Sequence, residues 1–67
     1  MINELRANGY LLTLTKSEIE GFSVLWLTDT YVRQGERMIL SKDNLQQLIN
    51  MCESRLNEIN REKENAN

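Results

Sequence analysis

The sequence predicts an α+β fold: a three- or four-stranded antiparallel sheet, then one long C-terminal helix, with a short helical turn ahead of the sheet. Three observations predict it. Tyr10 to Thr15 and Phe22 to Leu27 follow a period of two, as strands do. Arg37-Met38-Ile39-Leu40 repeats that character just after Gly35, a turn former. Leu45, Ile49, Cys52, Leu56 and Ile59 then recur at spacings of 4, 3, 4 and 3, the apolar seam of a helix.

The elements follow in chain order. Residues 2 to 8 fit a helical turn or two, because Ile2 and Leu5 share a helical face and Gly9 suits the stop position. Tyr10, Leu12 and Leu14 then line one face of a first strand. Lys16 to Gly21 is polar apart from Ile19 and reads as a connection, with Gly21 at a turn. In the second strand Phe22, Val24 and Trp26 point one way, while Leu25 and Leu27 point the other with Ser23. A strand this apolar on both faces is expected in the centre of a sheet, covered on both sides, with Trp26 in the core.

Tyr31-Val32-Arg33 resumes the extended pattern, and Gln34-Gly35 is the expected hairpin turn into the last strand. Ser41 is the expected N-cap, and Asp43 places negative charge at the positive end of the helix dipole. The helix is expected from about Lys42 to about Lys63, with Leu48 widening its apolar row. One small domain over residues 1–63 is expected, followed by a frayed tail over 64–67.

Size bears on assembly. A chain of 67 residues builds only a marginal core unless a disulfide, a metal or a partner chain supports it. A single cysteine, Cys52, excludes an internal disulfide, and the absence of histidine excludes the usual zinc frameworks. The single helix can cover one sheet face only, yet apolar residues fall on both. A homodimer is therefore expected, with Leu45, Ile49, Cys52, Leu56 and Ile59 as the core or dimer face of the helix.

Composition also bounds chemistry. No nucleophile has a histidine base to activate it. Cys52 sits on the apolar row, where a cysteine ordinarily acts as a small core hydrophobe. Gly9, Gly21 and Gly35 are isolated and form no phosphate-cradling loop. No enzyme, cofactor or metal is expected. The first residues lack the basic flank and apolar stretch of a signal peptide, and no apolar run reaches the length of a membrane span. A cytoplasmic chain with a reduced Cys52 is the expectation.

Two resemblances bear on nucleic acid. The expected order of helix, three strands and helix resembles a double-stranded-RNA-binding domain in topology. That family implies a strongly basic start to the final helix, whereas Ser41-Lys42-Asp43-Asn44-Leu45-Gln46-Gln47 holds one basic residue. The segment Arg33-Gln34-Gly35-Glu36-Arg37-Met38-Ile39-Leu40-Ser41 resembles the strand-to-helix junction of the general transcriptional coactivator family. That family's members are dimers that bind single-stranded DNA. The resemblance covers less than half the chain, and the family's basic surface is depleted here.

The expected function is a small, non-catalytic, homodimeric interaction module that binds and modulates a partner protein, of bacterial or phage accessory type. The candidate contacts are Tyr31, Arg33, Gln34 and Arg37, since Tyr and Arg are frequent binding anchors. The alternative is a regulator that holds single-stranded nucleic acid on the same basic hairpin.

Overall fold

A computed structural model describes residues 3–65. Four strands, β1 (Glu4–Ala7), β2 (Tyr10–Lys16), β3 (Ser23–Asp29) and β4 (Gln34–Leu40), precede one helix, α1 (Lys42–Asn65). The strands form one antiparallel sheet in the order β1-β2-β3-β4, each paired with its neighbour in sequence. The α+β architecture is thus present, with the sheet at four strands.

The first element departs from expectation. Glu4 to Ala7 is a strand, with Leu5 opposite Leu12 and Ala7 opposite Tyr10. Asn8 and Gly9 both have positive φ, 53° and 83°, which a tight two-residue hairpin requires. Asn-Gly is the strongest local signal for that turn, and it outweighs the helical spacing of Ile2 and Leu5. Gly9 therefore closes a hairpin rather than a helix, and Ile2 lies outside the described residues. With a strand in place of an initial helix, the topological likeness to a double-stranded-RNA-binding domain does not hold.

The second hairpin is also displaced. Gln34 and Gly35 lie inside β4, paired with Asp29 and Thr28, and the turn is Thr30 to Arg33. The positive φ that a glycine was expected to supply is adopted by Arg33, at 57°. Gly35 serves a different need: a β-carbon there would sit 2.9 Å from the Leu27 carbonyl oxygen.

The register separates two faces. Leu5, Tyr10, Leu12, Leu14, Leu25, Leu27, Met38 and Leu40 share one, the leucine-rich face. The other carries Glu4, Arg6, Leu11, Thr13, Thr15, Val24, Trp26, Thr28, Arg37 and Ile39. Trp26 is not core: its ring is partly exposed and lies under the Arg37 guanidinium, 5.5 Å from the ring centroid.

Ser41 alone links β4 to α1. The Ser41 hydroxyl accepts from the Asn44 N–H at 3.1 Å, and the Asn44 side-chain oxygen accepts from the Ser41 N–H at 3.1 Å. This reciprocal cap satisfies donors that a helix start otherwise leaves open, and it fixes the direction in which the helix departs. The helix continues through Asn65; residues 66 and 67 of the expected tail lie outside the described residues.

Packing is sparse. Leu40, 6% exposed, is the one buried apolar side chain among the described residues. The close backbone approach of α1 to the sheet is to β4. The radius of gyration is 15.0 Å, against about 11 Å for a compact chain of this length. The accessible surface is 6253 Å², whereas a folded monomer of this mass exposes roughly 4,400 Å². Among the described residues, no helix is long and apolar enough to cross a membrane.

Candidate functional site

Two regions stand out: the sheet end where the hairpin turns meet, and the apolar surface shared by the leucine-rich face and the helix.

The sheet end is built around Gly9 and Asp29. The Gly9 carbonyl accepts from the Thr30 N–H at 3.0 Å and from the Thr30 hydroxyl at 2.7 Å, tying the first turn to the second. One carboxylate oxygen of Asp29 accepts from the Tyr31 N–H at 2.9 Å and from the Val32 N–H at 3.4 Å. The Asp29 carbonyl accepts from the Arg33 N–H at 2.9 Å. An aspartate at this point of a turn replaces backbone partners that the strand pairing no longer supplies. The loop backbone is thus held at three successive residues.

On this loop Tyr31 is 85% exposed, and its ring lies across Gly9, where a β-carbon would collide with it. Val32 is exposed beside it. Val32 and Gln34 border a shallow hollow with Tyr10 and Leu27 on the leucine-rich side.

The four candidate contacts do not form one surface. Tyr31 and Arg33 occupy the loop. Gln34 lies on the leucine-rich face, and Arg37, three residues on, lies on the opposite face beside Trp26. Strand periodicity enforces this separation once the turn ends at Arg33.

The second region is apolar. Asn44, Gln47, Leu48 and Met51 line a groove with Leu25, Met38 and Leu40, so the helix starts on the leucine-rich side. Leu48 also borders a cleft with Leu5, Leu12 and Leu14. At 100° per residue, the row of Leu45, Ile49, Cys52, Leu56 and Ile59 is centred about a quarter turn from that groove. Within one chain, only Leu45 of this row is half-buried. Ile49, Cys52, Leu56 and Ile59 are exposed, and Cys52 is a free thiol. The row is therefore not a core of the single chain, because it faces away from the groove that Leu48 and Met51 line.

The helix surface carries an ion pair that needs no functional reading. Arg55 meets Glu58 at 3.0 Å and Glu62 at 3.3 Å, all three well exposed. Such pairs contribute about 0–1 kcal/mol.

Compared with known proteins, the chain matches no family model, no curated protein and no solved structure.

Proposed function

We propose that this chain is a small, non-catalytic interaction module that acts as a homodimer and binds and modulates a partner protein, inhibition being the sharpest form. The observation that carries the partner-binding reading is Tyr31. Its side chain is almost wholly exposed, yet Asp29 and the Thr30–Gly9 bonds fix the backbone that presents it. An aromatic anchor on a preordered loop loses little conformational freedom on binding, and tyrosine is among the residues that dominate interface energetics. Val32 and Arg33 follow Tyr31 on the same exposed loop and extend the contact. The unpaired thiol of Cys52 suits a reducing compartment, which supports a cytoplasmic setting.

A second reading has one observation in its favour. Trp26 with Arg37 over its ring, and Arg6 on the same sheet face, resemble a stacking platform for a single nucleic-acid strand.

Affinity capture from a native lysate, run beside shift assays with single- and double-stranded DNA and RNA, separates the two. Under the first reading the native chain retains a specific protein and Tyr31→Ala does not, at a temperature where both chains remain folded. Salt-sensitive nucleic-acid binding that disappears in an Arg6→Ala, Arg37→Ala variant would overturn it in favour of the second.

A further inference from the structure

We propose that a second copy of this chain lays the free part of its helix across the leucine-rich sheet face and receives the first copy's helix in return. The proposal rests on the homodimer of the preceding reading and adds which surfaces meet.

Area identifies the occupant. The chain exposes on the order of 1,800 Å² more than a folded monomer of its mass. A standard interface hides about 800 Å² per partner, and obligate homodimers hide more. Two copies that concealed most of this excess would fall in the obligate range. An isologous pair presents the same surfaces from both sides, so one arrangement hides both excesses.

The same chain has two unpartnered apolar surfaces of matching kind. On the sheet, Leu5, Leu27 and Met38 are exposed, Met38 at 60%. On the helix, Ile49, Leu56 and Ile59 are exposed, Leu56 at 58%. Pairing helix with helix would leave the sheet open, and stacking sheet on sheet would leave the helix row open. Exchange of helices covers both.

Geometry prevents a chain from doing this to itself. The one-residue link at Ser41, fixed by its reciprocal bonds to Asn44, sets the direction of α1. The sheet strand that the helix backbone approaches most is β4, and Cys52, Leu56 and Ile59 on the helix stay exposed. The stretch from Cys52 to Asn65 is roughly 20 Å long at 1.5 Å per residue. A seven-residue strand spans about 23 Å, so the free helix is long enough to cross the partner's sheet.

The test uses the native chain. Light scattering at micromolar concentration gives the mass, and isotope-filtered NOE spectra of a sample mixing labelled and unlabelled chains report contacts between copies. A dimer with intermolecular NOEs from Leu56 and Ile59 methyls to Leu27 and Met38 methyls is the expected result. A dimer whose intermolecular NOEs join the helix rows only would overturn the exchange and leave the homodimer standing. A monomer would overturn both. Leu56→Asp is expected to raise the dimer dissociation constant at least tenfold, and an undiminished dimer would count against the proposal.

Discussion

The ring of Tyr31 lies across Gly9, so the exposed aromatic of one turn is seated on the backbone of another. The contact joins two hairpins that meet at one end of the sheet, and Thr30 reinforces it with two hydrogen bonds to the Gly9 carbonyl. Both turns therefore respond to changes at either.

Gly9→Ala is expected to be destabilising on two counts. The backbone there has φ 83°, and the new methyl group would displace the Tyr31 ring. Loss of about 1–2 kcal/mol is expected from the left-handed backbone alone. Asn8→Gly should be close to neutral, since glycine adopts positive φ readily. Urea unfolding of both variants checks the contrast. A native-like midpoint for Gly9→Ala would contradict the packing described.

Arg33→Gly is expected to stabilise the free chain by about 0.5–1 kcal/mol, because it relieves a positive φ of 57° in a non-glycine residue. The same change removes a candidate contact. Melting and partner capture should therefore move in opposite directions, which separates a stability effect from a binding effect.

Asp29→Ala should loosen the loop without disturbing the sheet. It removes the acceptor shared by the Tyr31 and Val32 N–H groups. Amide exchange at residues 31 and 32 should accelerate by at least tenfold, with β2 and β3 amides little changed. Asp29→Asn keeps an acceptor oxygen and should retain most of the protection.

Ser41→Ala is expected to cost about 1 kcal/mol through loss of the helix cap. Asn44→Ala removes the other half of the reciprocal pair and should cost a similar amount. The two losses should not add, because the bonds form one unit. A double-mutant cycle by thermal unfolding measures the shortfall.

If two copies complete the fold, the melting temperature must rise with chain concentration by mass action. A tenfold increase should shift the midpoint upward by a few degrees. A midpoint independent of concentration would show that the single chain carries its own stability.

The parts of the fold legible in the sequence are those with a clear period. The alternation from Tyr10 to Leu14 and the 4-3-4-3 row after Ser41 each matched its element, while the two-sided apolar run read from Phe22 to Leu27 forms β3 only from Ser23 onward. Turns were less legible. The Asn8-Gly9 signal is local and strong, but the short segment before it also permits a helical spacing. The second turn places its positive φ on Arg33, a residue type that seldom adopts it, so the nearby Gly35 drew the prediction two residues too far.

That shift decides what could be read of the candidate site. The sequence reading puts Tyr31 and Arg33 in an extended segment ahead of the turn, whereas both lie on the loop, and Gln34 and Arg37 separate to opposite faces because both belong to one strand. Which sheet face meets the helix was not legible either. Apolar residues occupy both faces of β3, and the choice follows from the exit angle at Ser41 rather than from any periodicity.

The nearest-neighbour order of the strands has a kinetic consequence. Each pairing joins segments adjacent in the chain, so sheet formation needs no long-range search and should be complete in milliseconds or less. If the helices are exchanged between copies, that step waits for a collision. Refolding should then show a fast phase independent of concentration and a slower phase whose rate rises with it. The chain would shape its own docking surface before it meets its counterpart.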